Sequence, residues 1–271
     1  RREAAKIGMK SSFSIYDAAD SQRLMGMVLR DLDLDPKRYP ARSFTARVSG
    51  LKNELIDEEA FAAQVAGEES ANHYDRMISE AYTMYQRRLR QANALDFDDI
   101  IMTTVNILQA FPQVAEHYRR RFRHILVDEY QDTNPAQMEI LRLLIEKSEE
   151  GSSFFVVGDD WQSICAFTGA TVANILNFDR MFPKSKLFIL HRNYRSTPQI
   201  LKACMNLIRH NVKKLEKTLE SQNDDGGQVI VLESSNEEGE TISMVSEISD
   251  LVSRRGFAHK DIAILYRCNF Q

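Results

Sequence analysis

Three short stretches of the chain combine residue types that handle phosphate and water. In "ILVDEYQDT" the adjacent carboxylates Asp128 and Glu129 close an apolar run. An aspartate so placed can hold Mg²⁺, usually through water, because this small, hard cation takes oxygen ligands and bridges phosphate oxygens. A neighbouring glutamate can orient or deprotonate an attacking water. In "VVGDDWQSICAFTGA" Gln162 follows a Gly-Asp-Asp turn and the only tryptophan, Trp161. A neutral amide donates to a phosphate oxygen while accepting from a water, which suits a sensor of a terminal phosphate. In "LHRNYRST" Arg192 and Arg195 offer guanidinium groups that pair with phosphate and stabilise transition-state charge, and Tyr194 offers a ring that can stack on a base. Each stretch also has a plainer reading. Asp-Glu pairs are common on surfaces, a loop glutamine can face solvent, and arginines solvate helix ends. Trp161 is either a platform for a base or a packing residue.

The elements around these residues set where they meet. Ile125–Val127, Phe154–Val157 and Leu187–Leu190 are short apolar runs about 30 residues apart. Between them lie the helical patterns "NPAQMEILRLLIEK", with Pro135 at the first helical position, and "TVANILNFDRMF". Strands alternating with helices predict βαβ units and a parallel sheet. Every run turns polar at its carboxyl end, where open α/β sheets bind ligands, so Asp128, Asp159, Gln162 and Arg195 are expected along one edge. Downstream, "STPQILKACMNLIRH" reads as a helix and "GGQVIVLES" as a strand. A helix stopped by Gly256 and a strand over "DIAILYR" follow, as though a second sheet begins here. Residues 1–92 read as almost wholly helical, with no strand. Asp17 caps a helix bearing Leu24, Met27 and Val28, and a loop holds Pro36 and Pro40. A long helix from about Glu68 to Gln91 carries Tyr74, Met77, Ile78, Ala81 and Tyr85 on one stripe.

Composition narrows the function classes. The net charge of −4 gives no global basic field, so nucleic acid must be bound through local patches. Arg119, Arg120, Arg121 and Arg123 in "HYRRRFRH" are one candidate patch, or else a solvated helix end. No apolar run approaches the ~18 residues of a membrane span, and the N-terminus carries no apolar signal segment. Cys165, Cys204 and Cys268 are widely spaced and lack metal-ligand spacing, which reads as reduced thiols in a cytoplasmic protein. None of the 11 glycines precedes a lysine, so the phosphate-cradling pattern G-x-x-x-x-G-K-[ST] is absent. The chain has the water-activating half of a nucleotide hydrolase without the phosphate-gripping half.

The ordered set "ILVDEYQDTNPAQ", "VVGDDWQSICAFTGA" and "LHRNYRST" resembles superfamily 1A DNA helicases of the UvrD/Rep/PcrA type. "ALDFDDII" at 94–101 and the terminal "ILYRCNFQ" match further stretches of that family in the right order. The likeness is Rep-like, with Trp161 beside the motif glutamine as in helicase IV, and it is specific from about residue 94 onward. It implies an α/β, RecA-like P-loop NTPase motor fold. Residues 1–92 would be an all-helical subdomain inserted in the first RecA-like domain, 93–190 that domain's second half, and 191–271 the start of a second RecA-like domain. The P-loop would precede Arg1 and the last motifs would follow Gln271, making the chain an internal fragment that hydrolyses little ATP alone.

The resemblance also implies roles. Asp128 would coordinate Mg²⁺, Glu129 would activate water, and Gln162 would sense the γ-phosphate of ATP. Tyr194 would stack on adenine and Arg195 would be the arginine finger. Phe167 would stack on bases of single-stranded DNA beside Thr168. Trp161, Cys165 and Thr168 depart from the family, which often has a small polar residue, tyrosine and arginine there; losing that arginine removes a cation near the DNA. The function implied is an ATP-dependent 3′→5′ helicase of DNA repair or replication. It would act on single-stranded DNA and single-strand/duplex junctions as a monomer or weak dimer. Alternatives are the motor of an AddA/RecB-type helicase–nuclease, a non-catalytic nucleic-acid-binding protein with a degenerate motor, and a Mg²⁺ nuclease using Asp128, Glu129, Asp159 and Asp160. The last leaves Gln162, Tyr194 and Arg195 without roles.

Overall fold

A computed structural model describes residues 1–67, 72–145, 153–164 and 169–266. The chain forms two compact units, Arg1–Leu187 and Phe188–Gln271. Both mix helices with short parallel strand pairs, and no described helix is long and apolar enough to cross a membrane.

After a 3₁₀ turn over Ala4–Ile7, the first unit continues with β1 (Ser14–Tyr16) and α1 (Ala18–Asp31). Asp17 caps α1 as expected: its side chain accepts from the Asp20 amide while the Asp20 side chain accepts from the Asp17 amide. Next come α2 (Ala41–Asn53), α3 (Glu58–Gly67) and α4 (His73–Gln91), the last capped by Asn72. Their apolar stripes close over Met25, Val28, Phe44, Ile78 and Tyr82, all fully buried. Two stripe assignments shift. Met27 is 38% and Tyr74 39% exposed, and Met25 takes the inward place beside Val28. Residues 68–71, where the long helix was expected to begin, lie outside the described residues.

The expectation of no strand before residue 93 is corrected. β1 pairs in parallel with β2 (Ala94–Asp96), in the register Ser14↔Ala94 to Tyr16↔Asp96. Its partner is some eighty positions away, and three residues are too short to show a period of two.

After β2, α5 (Phe97–Ala110) and α6 (Pro112–Arg121) lead to β3 (His124–Val127). Then come α7 (Pro135–Ile145), β4 (Ser153–Val156) and two single-turn helices, α8 (Ala173–Leu176) and α9 (Phe178–Met181). The apolar "TVANILNFDRMF" is thus broken at Asn177 rather than one continuous helix. β3 and β4 form the expected parallel pair, from His124↔Ser153 to Val127↔Val156.

A buried polar joint ties α2 to α5. Lys52 Nζ, fully buried at the end of α2, lies 2.6 Å from Asp96 Oδ2 and 2.8 Å from Asp99 Oδ1. The Tyr85 hydroxyl donates to Asp96 at 3.0 Å and the Gln86 amide to Asp99 at 3.0 Å. Asp96 and Asp99 also form the capping box of α5. Burial, opposed by the charge of Lys52, pushes the Asp99 carboxyl up from 3.8 to about 6. The folded state therefore keeps a proton that the unfolded chain has lost. This contribution to stability is complete below about pH 4 and is lost as pH rises through about 6. In the complete protein, the stability advantage of wild type over Asp99→Asn should shrink between about pH 4 and 7 and stay level above that. A pH-independent difference in native-state hydrogen-exchange protection at the start of α5, after correction for the intrinsic exchange rate, would contradict it.

The second unit contains β5 (Arg192–Asn193), α10 (Pro198–Ile208), β6 (Glu220–Ser221) and α11 (Glu237–Ser253). β5 and β6 pair in parallel. Gly256, with φ +77°, follows α11 where a stop was expected. The strands expected over 187–190, 226–234 and 261–267 are absent from the described residues. Leu187, Leu190, Val231 and Leu265 are largely exposed there. An apolar run becomes a strand only when a neighbour takes up its N–H and C=O groups, and these runs have none among the described residues. Among the described residues the strands form three separate two-stranded sheets, two in the first unit and one in the second.

Candidate functional site

The geometry around Asp128 and Glu129 begins at the carboxyl ends of β3 and β4. The Val157 amide donates to the Val127 carbonyl at 2.8 Å, and the Tyr130 amide then donates to the Val157 carbonyl at 2.9 Å. This crossing places Asp128 and Glu129 directly beside Gly158 and Asp159. Glu129 takes a left-handed conformation, φ 48° and ψ 42°, which turns the chain sharply into a 3₁₀ turn over Tyr130–Asp132. That conformation costs roughly 1–2 kcal/mol for a residue with a Cβ. What holds it is Tyr130, fully buried and edge-on to Phe154 and Phe178 at centroid distances of 6.3 and 5.5 Å. Burial pushes the Tyr130 hydroxyl up to about 12. With Tyr130 as the anchor, both carboxylates are left exposed at the surface.

The adjoining loop is organised by Asp159. Its side chain accepts from the Trp161 amide at 3.0 Å and from Gln162 Nε2 at 2.8 Å, and its carbonyl accepts from the Gln162 amide at 2.9 Å. Gln162 is exposed and keeps its amide oxygen and second N–H available. Trp161 is half-buried in the same 3₁₀ turn, Asp160–Gln162. Gln131, fully buried, spans the two loops: Nε2 donates to Glu129 Oε2 at 2.7 Å and Oε1 accepts from the Asp159 amide at 2.9 Å. Asp128, Asp159 and Gln162, three of the four residues expected along one edge, share it together with Glu129; the fourth, Arg195, belongs to the second unit. Gln131 was missed; the signal was an amide two residues past a strand-end glutamate.

The residues after this turn reach the helical layer. The Asn174 amide donates to both the Thr133 carbonyl and hydroxyl at 3.1 Å. Asn134 Nδ2 donates to Asn53 Oδ1, at the end of α2, at 2.9 Å. Gly169, with φ +79°, packs against both asparagines, so a Cβ there would meet Asn53 at 3.6 Å and Asn134 at 3.8 Å. Phe167 and Thr168, the expected DNA contacts, and Cys165 lie outside the described residues. Among the described residues no group of three His, Cys, Asp or Glu side chains is placed to hold a metal.

The arginine patch is partly committed within the fold. Arg119 donates to the Leu143 carbonyl at 2.8 Å and pairs with Glu116, and Arg120 pairs with Glu116 at 2.8 Å. Cys204, the free cysteine among the described residues, is exposed.

In the second unit, Asn193 builds the turn that carries the remaining candidates. Its Oδ1 accepts from the Arg195 amide at 3.0 Å and the Ser196 amide at 2.8 Å. The Tyr194 carbonyl accepts from Asn223 Nδ2 at 3.2 Å, leaving the ring 69% exposed for stacking. Arg195 is exposed just before α10.

Residues 1–183 match the UvrD/REP helicase N-terminal domain family, and residues 188–271 match the UvrD-like helicase C-terminal domain family. The chain belongs to the UvrD/REP helicase family, whose domains imply a P-loop NTPase fold. It is 47% identical to the ATP-dependent DNA helicase UvrD1 of Mycobacterium tuberculosis over 99% of its own length and 35% of that protein's. It is 40% identical to the ATP-dependent DNA helicase PcrA of Bacillus subtilis over its whole length and 36% of the relative's. The chain thus spans about a third of the length of the curated relatives it matches.

Proposed function

We propose that the chain is part of an ATP-dependent 3′→5′ DNA helicase acting in repair or replication. Residues 1–92 are read as the helical subdomain of a first RecA-like domain, 93–190 as that domain's second half, and 191–271 as the opening of a second. The observation that supports it most is the joining of the Glu129 turn to the Gln162 loop at the ends of two parallel strands. Glu129 takes the role of water activator, Gln162 that of γ-phosphate sensor, Arg195 that of transition-state cation, and Tyr194 that of adenine platform. Phe167 and Thr168 are assigned to single-stranded DNA, where stacking is worth roughly 1–3 kcal/mol per base and tolerates any sequence.

Mg²⁺ fits the residues present. Exposed Asp128 is a hard oxygen donor, and such a cation keeps several waters and shares phosphate oxygens. When bound, it supplies charge neutralisation on the phosphates. The work on chromosomal DNA that this reading implies belongs in the cytoplasm.

The test is strand displacement by the complete protein on duplexes with 3′ or 5′ single-stranded tails. Unwinding of the 3′-tailed duplex with DNA-stimulated ATP hydrolysis is expected. Absence of DNA-stimulated hydrolysis would discard the reading in favour of a non-catalytic binder. The 271-residue chain alone is expected to hydrolyse ATP at background rate, since it lacks the lysine-bearing phosphate loop.

A further inference from the structure

Gln131 is a fully buried polar side chain in this edge that the roles above leave unused. Its orientation is not ambiguous: a carboxylate only accepts and a backbone N–H only donates, so Nε2 must face Glu129 and Oε1 must face Asp159. The space is tight. A Cβ on Gly158 would lie 2.7 Å from Gln131 Oε1 and 3.3 Å from its backbone nitrogen. An amide alone presents one donor and one acceptor in this planar span. Glutamate would set a carboxylate against Glu129, and methionine would leave the Asp159 amide and a Glu129 oxygen without their partner.

A continuous path results. Gln162 donates to Asp159 at 2.8 Å, the Asp159 amide donates to Gln131 at 2.9 Å, and Gln131 donates to Glu129 at 2.7 Å. We propose that Gln131 is a positioning residue that couples the phosphate-sensing loop to the water-activating carboxylate. Engagement of Gln162 by a terminal phosphate draws on Asp159, and Gln131 passes that displacement to Glu129, so the carboxylate is aligned only when a triphosphate is present. This rests on the roles proposed for Glu129 and Gln162. Gln131 touches neither nucleotide nor water in this scheme and acts only through Glu129.

The test uses the complete protein with single-stranded DNA and ATP. Gln131→Met should lower kcat by about tenfold or more while leaving KM and the Kd of a fluorescent ATP analogue within about twofold. In a Gln162→Ala background the same change should cost little further, because the path is already cut. Gln131→Glu keeps the shape but removes the donor to Glu129; it should lower kcat to a similar extent with KM within about twofold, and in the Gln162→Ala background it too should cost little further. A purely structural role would raise KM and Kd as kcat falls, and the substitutions would multiply; either result overturns the proposal. If Gln131→Met does not fold, the double-substitution comparison with Gln131→Glu decides alone. If Glu129→Gln retains turnover, the roles assigned to the site fail. If Glu129→Gln is inactive while both Gln131 variants behave as wild type, only the coupling fails.

Discussion

Glu129→Gln in the complete protein is expected to reduce DNA-stimulated ATP turnover about 10²–10⁴-fold, the range general-base catalysis supplies. The substitution is nearly isosteric and should leave the turn intact. Glutamine tolerates the left-handed backbone at position 129 about as well as glutamate, and its amide oxygen still accepts from Gln131 Nε2. Tyr130, which anchors the turn, is untouched. Nucleotide binding should therefore survive within about threefold, so the loss falls on kcat. Steady-state hydrolysis and equilibrium titration of a fluorescent nucleotide separate the two. Turnover near wild type would remove Glu129 from the chemistry.

Lys52→Met is expected to be the most destabilising single change in the helical layer. It leaves Asp96 and Asp99 buried with no cation beside them, a loss of about 3–5 kcal/mol for a broken buried pair. Methionine fills much of the lysine stem's volume, so the deficit is electrostatic rather than a cavity. Adding Asp96→Asn and Asp99→Asn should recover a large part of it. Native-state hydrogen exchange at the start of α5 provides the readout, because a protein of several domains has no single unfolding free energy. Unchanged protection in Lys52→Met would mean that the joint contributes nothing local.

The sequence disclosed the elements whose signals are local. Asp17 announced its helix through its own side chain, Pro135 marked the start of α7, and the runs before Asp128 and Gly158 became the paired strands β3 and β4. What stayed hidden depends on partners distant along the chain. β1 exists because Ala94–Asp96 lies beside it. Leu187–Leu190 is equally apolar, yet it has no ladder because no described residue pairs with it. The site divides the same way. The types and order of Asp128, Glu129 and Gln162 were legible, while the amide joining them depends on two loops meeting. Lys52 carried no signal at all, since a lysine near a helix end normally reads as a solvated charge.

The end of α2 has a consequence for exchanging parts between relatives. Lys52 is committed to Asp96 and Asp99, and the next residue, Asn53, to Asn134 just past the Glu129 turn. A chimera that imports helices α1–α4 from a relative must match its residues at 52, 53, 85 and 86 to Asp96, Asp99 and Asn134 of the recipient, or it will strand a charge on one side of the seam and an amide on the other. Transplantability of the helical layer is therefore decided by side chains that meet across the seam rather than by the loops at its ends.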